Sequence, residues 1–294
     1  MEVLTALVLD LLFGEPRGLH PVRLMGGYLA WAWPRVRGFW SGAGYWLLGA
    51  VLFTLPYALL DLLLRPLFLG WVWIGFFLKP LFSLRLLFEE VSAVGKTLEA
   101  PGAQEEALEE ARRRLSRIVS RKTADLSVEE VREAALESLS ENLSDSFVAP
   151  LFYYVLFGLK GAALYRYANT ADAMWGYVAH GKRGAFAARA DDLLNLIPAR
   201  LTALFLAPPT SFRTLLEEAR KTPSPNAGFP MAALALALGV RLRKRGSYAL
   251  NPLAPSPTAQ DFRRGLLRAG LAAGAAGLAF ALLEVLKELA ASRV

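Results

Sequence analysis

The sequence predicts an all-α protein: a polytopic membrane helical bundle with short or re-entrant apolar helices and an exposed helical hairpin. Three observations carry that expectation. The 294-residue chain is 54% apolar and only 20% charged, against about 25% charged in ordinary soluble domains. The uncharged run Gly38–Leu60 is long enough, as a helix, to cross a hydrocarbon core of about 30 Å. No stretch shows the strict apolar–polar alternation of a half-buried strand, and no internal repeat is visible.

Taken in order, Val3–Phe13 reads as a short first helix. Glu2 and Asp10 make it a poor secretory signal. Gly38–Leu60 and Pro66–Phe88 pair as a transmembrane hairpin over residues 38–88. Its second arm carries Lys79, Pro80 and Arg85, with Trp71 and Trp73 as interface anchors. Residues 104–146 read as an exposed helical hairpin. Leu108, Ala111, Leu115 and Ile118 recur at helical spacing, and Ser127-Val128-Glu129-Glu130 is a capping-box signature. Phe147–Leu159, Leu193–Ala207 and Pro230–Val240 are too short, or too interrupted by Pro150 and Pro198, to be assured spans. Residues 147–240 therefore form a motif-bearing core of short or re-entrant helices. With Phe147–Leu159 not crossing, the polar segments on either side of it share one face of the membrane. Segments 207–230 and 252–257 are Pro-rich loops. Residues 266–288 form a C-terminal transmembrane helix. Its Gly270 and Gly274 permit close helix approach, or simply mark a small-residue helix. The whole, 1–294, reads as one membrane-embedded domain.

Charge and metal chemistry narrow the function. The net +7 divides into −6 over residues 89–146 and +13 elsewhere. The positive excess flanks apolar segments, as expected of cytoplasmic loops in a multi-pass protein, and forms no continuous basic footprint for nucleic acid. The chain has no cysteine and only two histidines, His20 and His180. Thiolate zinc and iron–sulfur chemistry are excluded, and oxygen ligands remain.

Two regions supply such ligands. Glu129, Glu133, Glu137, Glu141 and Asp145 recur every four residues, so a helix stacks like charges along one face. One reading is a solvated acidic face. The other is that the end of the row, Glu137–Glu141–Asn142–Asp145, awaits a hard cation such as Mg²⁺. Tyr165–Arg200 is the densest polar region, with Arg166, Asn169, Asp172, Arg189, Asp191, Asp192, Asn195 and Arg200. Asp191-Asp192 followed by Asn195 suits a Mg²⁺–phosphate cluster; acidic caps at a helix start are the alternative. Gly176–Arg183 matches most of a P-loop, but Arg183 replaces the Ser/Thr and no buried strand precedes it. Arg113, Arg117, Arg121 and Lys122 form a basic row, and the turn around Asn226 opens an apolar helix.

Several stretches together resemble the membrane-bound adenosylcobinamide-phosphate synthase family of cobalamin biosynthesis. They include Asp10-Leu-Leu-Phe-Gly14-Glu-Pro16 with His20-Pro21-Val22, Ser120-Arg-Lys-Thr-Ala-Asp-Leu-Ser127 and Glu137-Ser-Leu-Ser-Glu141-Asn142-Leu-Ser-Asp145. Tyr165-Arg166-Tyr-Ala-Asn169-Thr-Ala-Asp172, Ala188–Arg200 and Ser224-Pro-Asn-Ala-Gly228 continue the pattern. The resemblance departs at Val178–Ala185 and at Arg241–Asn251, where only Gly246 remains of a glycine-rich segment.

The resemblance implies an ATP- and Mg²⁺-dependent ligase that amidates a propionate of adenosylcobyric acid, a corrinoid, with aminopropanol phosphate or a related amino alcohol. It implies a multi-pass protein of the cell (inner) membrane whose active site faces the cytoplasm. Its partners are these small molecules and the lipid bilayer, with other membrane enzymes of the cobalamin pathway as further candidates. On that footing Glu137, Glu141, Asp191 and Asp192 are candidate catalytic carboxylates, and Asp145, Asp172, Asp191 and Asp192 candidate metal ligands. Arg121, Lys122, Arg166, Arg189 and Arg200 would hold phosphates; Asn142, Asn169, Asn195 and Asn226 would orient substrates. Two other classes compete: an intramembrane Mg²⁺-dependent prenyl or phosphate transferase, and a multi-pass transporter.

Overall fold

A computed structural model describes residues 1–15, 18, 20–100, 104–206 and 212–291. Thirteen helices and one two-stranded hairpin make up the described chain. It divides into two compact units. Unit 1 comprises Met1–Ser83, Asp145–Leu196 and Gly277–Val294; unit 2 comprises Leu84–Ser144 and Ile197–Ala276.

Unit 1 begins with α1 (Glu2–Phe13) and α2 (Pro21–Ala32). His20 caps α2 through a bond from the Val22 N–H to its ring, and Pro21 starts the helix where no donor is needed. α3 (Phe39–Leu64) is the most apolar of the long helices, and most of its surface is uncovered. Trp40 is 84% exposed and Leu62 71%, which in water would be a large unsatisfied apolar face. Pro56 sits in its interior, a placement membrane helices tolerate. α3 packs on α9 (Leu159–Trp175) where Gly49 leaves no room for a Cβ against Tyr167.

Among the described residues, three stretches are long and apolar enough to cross a membrane: Phe39–Leu64, Gly70–Leu98 and Ala259–Ala290. The second is not one continuous α-helix. α4 (Gly70–Leu78) ends in a tight turn at Lys79–Leu81 around Pro80, and α5 (Arg85–Leu98) follows as an amphipathic helix. The sequence ended that arm at Phe88; the helix runs ten residues further because its polar face continues the 3.6-residue pattern. α13 (Ala259–Ala291) likewise exceeds the 266–288 expected. Its Gly274 faces open space, so the Gly270/Gly274 pair is not a tight helix contact among the described residues. Gly277 instead lies against Leu7.

α8 (Ala149–Phe157) has nine residues, about 13 Å of helix, and cannot cross a bilayer core. Gly158 stops it at φ 72°, a conformation that favours glycine, and the chain returns as α9. α10 (Ala185–Leu206) packs against both through Tyr153, whose hydroxyl donates to the Leu194 carbonyl.

In unit 2, α6 (Gln104–Leu115) and α7 (Val128–Leu143) form the helical hairpin. The capping box is present: Ser127 and Glu130 exchange side-chain and backbone bonds. α7 is nevertheless mostly buried rather than exposed. It leads into a wide π-type turn at Ser144–Val148. Part of the expected 207–230 loop is helix: α11 (Phe212–Ala219) places Leu215 and Ala219 inward. α12 (Gly228–Leu238) is apolar on all sides and buried.

The sequence showed no strand, but β1 (Leu242–Lys244) and β2 (Tyr248–Leu250) pair antiparallel, with Leu242 opposite Leu250. Three residues are too few for alternation to register. The loop Arg245-Gly246-Ser247 turns on Gly246 at φ 72°.

Candidate metal and phosphate centre

In unit 1, α9 and α10 bring Asn169, Asp172, Asp191, Asp192 and Asn195 together. The three- and four-residue spacings place Asn169 with Asp172, and Asp191 with Asn195, on one face of each helix. Asp191 is 8% exposed. The Asn169 side-chain amide donates to its Oδ1 at 3.3 Å and the Asn195 amide to its Oδ2 at 3.0 Å. Asn195 is held in turn by the Tyr165 hydroxyl at 2.8 Å.

The electrostatics are those of crowded carboxylates. Burial, then the neighbouring Asp172, pushes the Asp191 carboxyl up to about 7. Burial and Asp192 push Asp172 to about 6, and burial raises Asp192. Beside them Arg166 lies among Tyr165, Glu15 and Asp145; burial lowers its pKa, and its buried Nε has no hydrogen-bond partner among the described residues.

A hard cation fits this donor set. Three carboxylates whose pKa values are raised by burial and crowding would be relieved by it, and the two amides offer further oxygens. The three aspartates do not bring oxygens within 4.8 Å of one another. Among the described residues that closeness is found in Glu2, Glu284 and Glu288 of unit 1. There Glu284 already accepts the Met1 ammonium and the Glu2 and Val3 N–H groups, so it caps α1. Wider spacing suits Mg²⁺, which keeps waters and shares phosphate oxygens.

Unit 2 holds the acidic row. It is not a solvated face: Glu133 is fully buried and Glu137 is 1% exposed. Arginines neutralise it. Glu133 Oε1 accepts Arg241 Nε and Nη2 at 3.2 Å each, and Oε2 accepts the Arg243 N–H at 3.1 Å. Glu130 pairs with Arg243 and Arg245, and Glu137 with Arg121. Burial raises the Glu137 pKa while Arg121 opposes, and the Tyr248 hydroxyl lies beside it.

The chain matches the CobD/Cbib protein family model over residues 3–275. It is 45% identical over 262 residues to the probable cobalamin biosynthesis protein CobD of Methanothermobacter thermautotrophicus, covering 84% of this chain and 85% of that one. It is 40% identical to the cobalamin biosynthesis protein CobD of Rhodobacter capsulatus, with 90% of each covered. The Dehalococcoides mccartyi protein of the same name is 38% identical, over 86% of this chain and 88% of that one. The chain belongs to the CobD/CbiB family. No solved structure matches it. Membership in the CobD/CbiB family assigns the chain to cobalamin biosynthesis, and its apolar helices agree with a membrane protein.

Within this CobD/CbiB-family chain the candidate residues fall into two sets. Unit 1 holds Asp145, Arg166, Asn169, Asp172, Arg189, Asp191, Asp192 and Asn195; unit 2 holds Arg121, Lys122, Glu137, Glu141, Asn142, Arg200 and Asn226. Asp145 leaves the row expected with Glu137 and Glu141. α7 ends at Leu143, so the four-residue helical spacing stops before it, and its field acts on Tyr165 and Arg166. Asn142 donates to the Ser138 carbonyl, a contact within its own helix. Arg189 is exposed, 5.8 Å over the Phe39 ring. Arg200 stacks on Phe229 at 4.1 Å and donates to Asn226 Oδ1 at 3.1 Å.

The P-loop look-alike, Val178–Arg183, is a short 3₁₀ turn after helix α9, and Arg183 covers the Trp33 ring. Residues to which the sequence reading gave no functional role include Tyr165, Tyr248, Glu130, Arg243 and Lys79. Lys79 is buried, 3.5 Å from Asp10 and 3.4 Å from Glu15, whose carboxylate also meets the His20 ring. Its signal was visible: a lysine inside an apolar stretch is read as functional by default.

Proposed function

We propose that the chain is an ATP-dependent amide synthase of the cell membrane. In this reading it joins a propionate of adenosylcobyric acid to aminopropanol phosphate, or to aminopropanol, and yields adenosylcobinamide phosphate. The observation that supports it is the centre on α9 and α10: three aspartates and two asparagines, beside an arginine whose buried Nε has no partner among the described residues.

A carboxylate is a poor acyl donor, so ATP must activate it, as an acyl phosphate, before an amine attacks. That chemistry needs an acceptor for the amine proton and cations around the phosphates. Asp191, held near neutrality at about 7, is tuned to take a proton at physiological pH. Asn169 and Asn195 fix its orientation, and Arg166 holds an anionic oxygen. Asp172 and Asp192 would hold Mg²⁺, which would neutralise phosphate charge when bound and leave Asp191 for the proton.

The test is product formation by purified protein from adenosylcobyric acid, ATP and aminopropanol phosphate. Asp191→Asn is expected to lose at least about a hundredfold in kcat, the scale of a missing general base. Full activity in that variant removes Asp191 from its role. Consumption of ATP and amino alcohol together separates this reaction from a prenyl transferase and from a transporter.

A further inference from the structure

Five cations outside the aspartate centre converge on one cavity of unit 2. Arg121 and Lys122 come from the segment before α7; Arg243, Lys244 and Arg245 come from the β-hairpin. Asp125 and Glu130 are the acids that line it, and its volume is about 240 Å³. The hairpin turn at Gly246 and the bonds from β1 to Glu133 hold the hairpin cations in place.

The charges do not cancel. Arg245 pairs with Asp125 and Glu130, Arg243 with Glu130, and Arg121 with Glu137. The side chains of Lys122 and Lys244 have no hydrogen bond or ion pair among the described residues. Arg243 adds a buried Nε with no hydrogen-bond partner. Like charges gathered around a concave surface repel one another and focus a positive field, so the arrangement favours an anion. The space equals roughly eight waters at about 30 Å³ each, which suits a small ligand. Two uncommitted ammonium groups match a phosphate monoester, which carries about −1.5 to −2 at neutral pH.

We propose that this cavity binds the phosphate group of a small phosphate monoester, with Lys122 and Lys244 as its ammonium donors and Arg243 as a third donor through Nε. The phosphodiester of a lipid headgroup carries a single charge and matches the two ammonium groups less well. The proposal rests on the reaction above only for the carrier of that phosphate, which would be the amino alcohol phosphate.

Calorimetric titration of inorganic phosphate into the full-length protein in phosphatidylcholine nanodiscs tests it. Wild type is expected to bind. Lys122→Ala and Lys244→Ala should each weaken binding about tenfold, the scale of one charge-assisted hydrogen bond, and Lys244→Arg should largely restore it. Lys122 is exposed, so its replacement leaves the fold intact. No phosphate binding by wild type, or binding that both lysine variants leave unchanged, overturns the site. Loss of phosphate binding when phosphatidylglycerol is added, dependent on the same lysines, makes the occupant a lipid headgroup and overturns the monoester. Product formation is scored separately. Lysine-dependent phosphate binding without any synthase activity removes the reaction and leaves the site; the converse removes the site alone.

Discussion

Asp191 links the proposed proton transfer to stability in one side chain. Its pKa is raised from 3.8 to about 7, so the folded protein holds its proton more tightly than the unfolded chain does. Stability contributed this way is fully present below about pH 4 and is lost as pH rises to about 7. Metal-free protein should therefore melt at a lower temperature at pH 8 than at pH 5. Asp191→Asn should flatten that dependence and gain roughly 1–4 kcal/mol at pH 8, read from thermal denaturation at both pH values. A variant as pH-sensitive as wild type would place the burden elsewhere. Tyr165→Phe removes the donor that holds Asn195 and leaves a buried amide oxygen unpaired, at a cost of about 1–3 kcal/mol. Because Tyr165 acts through Asn195, kcat should fall and the pH profile of kcat should move, measured on the same protein. Asp191 and Asn195 were legible in the sequence because their spacing is local to one helix. Tyr165 was not, because its partner lies 30 residues away and Tyr–Asn contacts leave no periodic trace.

At the scale of elements, α7 shows where a pattern is legible and its meaning is not. Its start could be read from Ser127 and Glu130, since a capping box is a three-residue device. Its four-residue repeat of glutamates was visible too. That Glu133 within it is buried and neutralised depends on Arg241 and Arg243, more than 100 residues away. Glu133→Ala should strip the β-hairpin of its anchor and lower stability by about 3–5 kcal/mol, the penalty for leaving a buried arginine without its partner. Glu129→Ala, at the exposed start of the same helix, should stay within about 1 kcal/mol. Equal losses in thermal melts of the two variants would return α7 to a solvated helix.

The whole molecule is organised by the bilayer it is built to enter. α3 leaves most of its apolar surface uncovered, whereas α8 is too short to cross. From Asp145 the chain descends α8, turns at Gly158 and returns along α9 to Asp172. Cysteines introduced singly at Ser146 and at exposed Ala173 should therefore label from the same side of the membrane with an impermeant maleimide. The absence of native cysteine makes the assay clean. Opposite-side labelling would mean that the α8 region crosses and would break the one-sided arrangement of Asp145 and Asp172.

By itself the sequence determined what local physics can encode. Apolar run length marked the candidate spans, the Ser127–Glu130 capping box marked the start of α7, and the spacing of Asn169, Asp172, Asp191 and Asn195 assembled each half of the aspartate centre. Only the tertiary structure decided which charges are neutralised and which are left wanting a partner. It buried Glu133 and Glu137 against arginines outside their own helix, raised the Asp191 pKa by burial and then by Asp172 on another helix, and left the Lys122 and Lys244 side chains without a partner among the described residues around a cavity. The reason is physical. Helix formation depends on neighbours three or four residues apart, whereas burial and Coulomb energy depend on distance through space, to which sequence separation is no guide.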